Sequence, residues 1–169
     1  MEYCTIEESD GITVKGYITG IVKESPLHCH YTLVLDNQWN TLSAHIELVA
    51  NLQHLTLACT RKGHSWYNGQ NAHLPELDGC TDIDIRLTPF TNTLPINRLH
   101  LPLEGSKDTT VVYFNLPAGE VKPVKQTYTR LGNHRYRYEN HSTGFTAVLE
   151  TDEDGFVIDY PGIWQRVYP

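Results

Sequence analysis

Asp82 and Asp84 stand two residues apart in a stretch where Thr81, Ile83, Ile85 and Leu87 alternate with Asp82, Asp84 and Arg86. On a strand, a period of two puts both carboxylates on one face, with Arg86 next along it. Paired carboxylates can serve as acid and base on a glycosidic bond, and two positions on one strand are compatible with either glycosidase geometry. Such a pair could also hold a divalent cation. The plainer alternative is a solvated face with a diagonal Asp84–Arg86 pair. A second strip runs through Gln126, Tyr128 and Arg130 to Arg135, Tyr136, Arg137 and Tyr138. Alternation puts Tyr136 and Tyr138 on one face and Arg135 and Arg137 on the other. Interleaved basic and aromatic side chains can stack on nucleic-acid bases. Aromatic faces also stack on sugars while Arg, Asp and Asn bond hydroxyls, and the chain has 10 Tyr and 3 Trp. The alternative is that the tyrosines fill a core with their hydroxyls at its rim.

Other chemistries lack their residues. His28 and His30 share a strand face, but no third ligand follows at metal-site spacing, so no metal is expected. There is no GxSxG, HExxH, GxGxxG or GxxxxGK, so neither a nucleophile elbow nor a phosphate loop is present, and no cofactor is implied. The four cysteines, Cys4, Cys29, Cys59 and Cys80, form no CxxC pair. The start Met1–Glu8 is acidic and polar, unlike a secretory signal, which predicts a cytoplasmic protein with free thiols.

The elements that would carry these residues are strands. Tyr31–Leu35, Ala44–Leu48, Leu55–Cys59, Thr81–Leu87, Val111–Asn115 and Phe145–Glu150 all alternate. Asp36-Asn37, Gly132-Asn133 and Asp152-Glu153-Asp154-Gly155 supply turn chemistry between runs. Two hairpins follow: Tyr31–Leu35 with Trp39–Leu48, and Val124–Leu131 with His134–Glu139. No amphipathic helix of 10 or more residues is evident, and one short helical turn fits Thr93–Leu99. About ten strands will not stay flat and open, which predicts a mainly β fold. The expected form is a strongly curved antiparallel sheet with little helix, a barrel-like or half-barrel roll or else two packed sheets.

The alternation stops between Leu87 and Val111. The segment Thr88–Pro102 carries three prolines besides Phe90, Leu94, Ile96, Leu99 and Leu101. It cannot be a central strand, and its apolar residues must be buried. It predicts a plug over the core or part of a binding mouth. The 169 residues suit one domain, 1–169, whose two strand-rich halves are joined by the loop 88–110. A net charge of −7 argues against nucleic acid, whose binding is driven by Lys and Arg. No apolar run nears the roughly 20 residues of a spanning helix, so no membrane span is expected.

The run Asp78–Ile85 followed by Thr88-Pro89-Phe90-Thr91-Asn92-Thr93-Leu94-Pro95-Ile96-Asn97-Arg98-Leu99 resembles the signature of the bacterial family described as "putative glycolipid-binding", a domain of unknown function. Gln126-x-Tyr128, Arg137-Tyr138, and Asp154-Gly155-Phe156 through Tyr160-Pro161-Gly162 to Arg166-Val167 are similar in order and spacing. The match is looser from Gly16 to Gly20, Asp36 to Trp39 and Trp66 to Gly69. The resemblance implies a curved β fold around an apolar cavity and a small amphiphile, a glycolipid or acyl-chain ligand, as partner. On that basis Phe90, Thr91, Asn92 and Arg98 are expected at a polar mouth. Trp39, Trp66, Tyr128, Tyr138 and Tyr160 are expected along the cavity. Asp82, Asp84, Gln126 and Arg137 are the polar candidates for a headgroup. The alternative is an enzyme acting on a glycolipid or sugar through Asp82 and Asp84, and binding is favoured over catalysis. Oligomeric state is not legible.

Overall fold

A computed structural model describes residues 1–22 and 24–168 of the chain. Among these residues thirteen strands form two sheets. The first sheet is a six-stranded antiparallel meander: β1 (Glu2–Glu8), β2 (Ile12–Val22), β3 (Ser25–Leu35), β4 (Thr41–Ala50), β5 (Gln53–Lys62) and β6 (Ser65–Asn68). The second has seven strands: β7 (Asp82–Ile85), β8 (Ser106–Asn115), β9 (Glu120–Gly132), β10 (Arg135–Asn140), β11 (Phe145–Thr151), β12 (Val157–Tyr160) and β13 (Trp164–Gln165). It curls into a half-barrel. Both expected hairpins form, as β3–β4 and β9–β10.

One pair departs from the antiparallel expectation. β7 runs parallel to β8, with Asp82 opposite Val111 and Asp84 opposite Tyr113. A parallel pair needs a crossover, and residues 86–105 provide it. They contain a 3-10 turn, Phe90–Asn92, that leads into α1 (Thr93–Leu99). Pro95 is tolerated because it sits in the first turn, where its missing N–H has no intrahelical partner.

Alternation sorts the half-barrel into two unlike faces. On one, Ile83, Ile85, Val112 and Phe114 pack against the inner face of the meander, on Val14, Tyr31, Leu33, Leu35 and Ile46. On the other lie Asp82, Asp84, Thr109, Gln126, Tyr128 and Tyr138. This concave face would be an open polar trough if the crossover did not fill it. Ile96 and Leu101 enter it and join Tyr128, Tyr136, Tyr138, Leu149 and Tyr160 in a second core. Phe90 and Leu94 belong to the first core, so the crossover pins the two cores together. It is a plug, and all five apolar residues that required burial are buried or partly buried.

Candidate functional site

The polar face of the half-barrel holds the plug through two adjacent networks. In the first, Asp82 is fully buried and meets Arg98 of α1 in a two-pronged pair. Nε donates to Oδ1 at 2.8 Å and Nη2 to Oδ2 at 2.7 Å. The Thr109 and Thr81 hydroxyls also donate to Oδ2, at 2.9 and 3.1 Å, and accept from Arg98 Nη2. Both Asp82 oxygens, both hydroxyls and the Nε and Nη2 of Arg98 thus find partners within the cluster. Such bidentate geometry is among the stronger hydrogen-bonded arrangements. Arg86, the neighbour expected beside Asp84, turns away and donates to Asn115.

The second network surrounds Asp84. Gln126 Nε2 donates to its Oδ2 at 2.6 Å and Thr91 Oγ1 donates to Oδ1 at 3.3 Å. The Gln126 amide also reaches the Tyr138 hydroxyl at 3.0 Å, where Asn140 Nδ2 donates as well. The Tyr128 hydroxyl donates to Asn92 of the plug at 2.9 Å. No salt-bridge cation accompanies Asp84 among the described residues. Burial therefore dominates and pushes its carboxyl up to about 6, against the opposing pull of the Gln126, Thr91 and Tyr138 hydrogen bonds. The Tyr138 and Tyr160 hydroxyls are raised too, first by burial and then, with other groups, by the neighbouring Asp84 charge. Asp84 is nevertheless not sealed from solvent. Tyr138, Tyr160 and Phe145 stand near one another, with ring centroids 6.2–6.4 Å apart, and Phe145 is exposed.

A larger concavity lies beside the C-terminal turn of α1 and the residues that follow it. It is an open cleft of about 750 Å3, bounded by the end of β1, the β3–β4 turn, the end of α1 and the β11–β12 turn. Its apolar wall is Ile6, Trp39, Ile96, Leu101 and Phe156. Its polar rim includes Glu8, His100, Glu153 and Asp154, with Arg130 and Asn97 behind. Trp39 and Phe156 rings lie 6.2 Å apart, and Phe156 stacks at 6.1 Å on Phe90. Two non-glycine residues of this wall hold left-handed backbone, Trp39 at φ 64° and His100 at φ 44°. Such a conformation costs roughly 1–2 kcal/mol for a residue with a Cβ. At Trp39 the surrounding turn enforces it: Asp36 Oδ1 accepts from the Gln38 and Asn40 backbone N–H groups at 2.9 Å. Backbone of this kind occurs at ligand clamps, and here also in turns away from the cleft, at Glu24, Asn51, Leu52, Asn71 and Glu104. The far wall is tied to α1 by Asn97 Nδ2, which donates to the Asp154 carbonyl at 2.8 Å. Gly155 must be glycine, since it has φ 81° and a Cβ there would collide with Asn97 Oδ1.

The structure thus brings together Asp82, Asp84, Thr91, Asn92, Arg98, Gln126, Tyr128 and Tyr138, with Tyr160 edge-on to Tyr138 at 6.4 Å. Those side chains bond chiefly one another across the plug. Phe90 packs on the opposite side against Phe156. Of the residues expected at the mouth or along the cavity, Trp39 alone lines the large cleft, beside Arg130 and Tyr136 of the basic-aromatic strip and Ile96 and Leu101 of the proline-rich segment. Trp66 is fully buried in the first core, its Nε1 donating to the Cys80 carbonyl at 3.0 Å. Arg137 lies on the outer face of β10 and pairs with Glu139 at 3.3 Å. The other cleft residues come from five separate segments. Their signals in the sequence are the Asp152–Gly155 turn, the Arg130 and Tyr136 strip and the proline-rich segment read as a plug or part of a mouth. Burial raises the four thiols, Cys4 and Cys80 to about 11 and Cys29 and Cys59 to about 12, which makes them poor nucleophiles. Among the described residues no group of three His, Cys, Asp or Glu is arranged to hold a metal ion, and no helix is long and apolar enough to cross a membrane.

Comparison with known proteins now bears on this geometry. Residues 1–166 match the model of one family, whose description is "Putative glycolipid-binding". The crystal structure of a DUF1089 family protein from Pseudomonas aeruginosa superposes with a TM-score of 0.86 at 34% sequence identity, covering 98% of this chain and 92% of that one. No curated protein matches the chain.

Proposed function

The chain belongs to the family described as "Putative glycolipid-binding", and from that premise we propose that it binds a glycolipid or related amphiphile in the cleft beside α1. The observation that carries this is the cleft itself, an aromatic and aliphatic wall that faces a hydroxyl-accepting rim. Its size lies within the roughly 300–1,000 Å3 usual for small-molecule sites. Trp39 offers a ring face for the nonpolar side of a sugar, held in place by strained backbone. Ile6, Ile96 and Leu101 would contact the first part of an acyl chain. The cleft is open, so the remainder of the chain would lie along the surface.

The test is native mass spectrometry of gently purified protein with lipid extract added, followed by titration with dodecyl maltoside. A one-to-one adduct lost on Trp39→Ala supports the proposal. The absence of any adduct from the extract and from the glycoside would refute it.

Catalysis on a bound sugar has one observation in its favour, a carboxyl near pKa 6 without a cation beside it, a pattern that marks candidate acids. Glycosidases use two carboxyl groups, and here Asp82 is committed to Arg98. Release of sugar from a panel of nitrophenyl glycosides, abolished by Asp84→Asn while ligand binding persists, would support it.

A further inference from the structure

We infer that the cleft selects an uncharged, hydroxyl-bearing headgroup and excludes anionic amphiphiles. This rests on the cleft being the ligand seat, as proposed above, and concerns the electrostatics of its rim. Three carboxylates stand there, Glu8, Glu153 and Asp154, and each is exposed. Their side chains make no hydrogen bond or salt bridge among the described residues. In the β11–β12 turn the structural work falls to Asp152, whose Oδ1 accepts from the Asp154 and Phe156 backbone N–H groups at 3.1 and 2.8 Å. The Glu153 and Asp154 carboxylates are left for whatever enters.

One cation lines the cleft, Arg130; its charge offsets part of theirs, but its N–H groups are largely spent. Arg130 Nη1 donates to the Leu101 carbonyl at 3.0 Å, Nε to the Gly132 carbonyl at 3.1 Å, and Nη2 to the Asn133 carbonyl at 3.4 Å. A guanidinium used to tie the end of the plug to the β9–β10 turn is poorly placed to clamp a phosphate or sulfate. An incoming anion would therefore meet three like charges against the single charge of Arg130, with no guanidinium fork free to grip it. A sugar hydroxyl, in contrast, donates to carboxylate oxygens, which are strong acceptors, while the less polar sugar face lies on Trp39.

The experiment compares three amphiphiles with one chain length, each below its micelle-forming concentration: dodecyl maltoside, dodecyl phosphate and dodecyltrimethylammonium. Affinities are measured by calorimetry at pH 7.5 and low salt. Maltoside is expected to bind at least about tenfold more tightly than the phosphate, the scale of a few like charges acting across a partly solvated cleft. The double variant Glu153→Gln/Asp154→Asn is expected to close most of that gap by raising phosphate affinity. Equal or tighter phosphate binding to the native chain would overturn the inference while leaving the binding proposal intact. So would an unchanged gap in the double variant, or trimethylammonium bound more tightly than maltoside, which would mean the rim reads charge alone. Failure of all three to bind would refute the binding proposal itself and take the inference with it.

Discussion

The two regions that meet the plug treat their polar groups in opposite ways. Toward the half-barrel, Arg98, Thr91 and Asn92 meet Asp82, Asp84 and Tyr128, and the polar atoms are largely taken up. At the cleft, His100 and the carboxylates of Glu8, Glu153 and Asp154 surround an open space, and their side chains have no hydrogen-bond partner among the described residues. Both regions are rich in the residue types that bind sugars. On the proposed reading, the difference teaches that residue type alone does not mark a binding site, whereas uncommitted hydrogen-bonding capacity beside an apolar wall points to one. The first region is the scaffold that holds α1 rigid, and the second is the surface that α1 then presents.

The sharpest way to break this contrast is to cut the scaffold. Arg98→Met leaves the buried Asp82 carboxylate without its cation, and losing one partner of a buried pair costs about 3–5 kcal/mol. Urea unfolding should show that loss. The double variant Asp82→Asn/Arg98→Met should recover part of it, because no unpaired charge remains. A loss below about 1 kcal/mol, the scale of an exposed pair, would mean that the clamp does not hold the plug.

The next effect separates the two carboxylates from each other. Asp84 has its folded pKa raised to about 6, above its unfolded value near 3.9. The native state therefore binds the proton more tightly, and between about pH 4 and 6 stability falls as pH rises. The penalty is absent below the unfolded value and complete above the folded one, at about 2 kcal/mol for a shift of this size allowing for partial exposure. Asp84→Asn should remove it, so the variant should gain on the native protein between pH 4 and 7. Parallel unfolding curves at both pH values would contradict the account of Asp84.

A smaller effect is expected from Tyr128→Phe. It removes the hydroxyl that donates to Asn92 Oδ1 and leaves a buried acceptor unpaired, at a cost of about 1–2 kcal/mol. Smaller still on stability is Trp39→Ala, a partly exposed position, where a change within about 1 kcal/mol is expected. Thermal unfolding of both variants beside the native chain would order the two.

Much of the fold was legible because strands with one buried face alternate. Tyr31, Leu33 and Leu35 identify β3, and the turn residues at Asp36-Asn37 and Gly132-Asn133 fix both hairpins. The plug was legible as well, since its prolines exclude a strand and its apolar residues demand burial. The direction of β7 was not, because alternation carries no sign: Asp82-Ile83-Asp84-Ile85 reads the same in a parallel or an antiparallel pair. The ion pair was missed for a related reason. Arg86 is Asp84's neighbour on the strand, and only the crossover brings Arg98 across to Asp82. The cleft was the least legible feature. Ile6, Ile96, Arg130 and Phe156 share no local pattern, and the left-handed backbone at Trp39 falls on a residue type that gives no hint of it.

The most direct test of the contrast is the affinity for dodecyl maltoside of Trp39→Ala and Asp84→Asn, measured against the native chain at pH 7.5. The cleft as binding surface and the Asp84 network as scaffold predict at least about a tenfold loss for Trp39→Ala, the equivalent of 1.4 kcal/mol, and no more than a twofold change for Asp84→Asn. Native affinity in Trp39→Ala together with lost binding in Asp84→Asn would reverse the assignment and place the ligand among the tyrosines of the half-barrel.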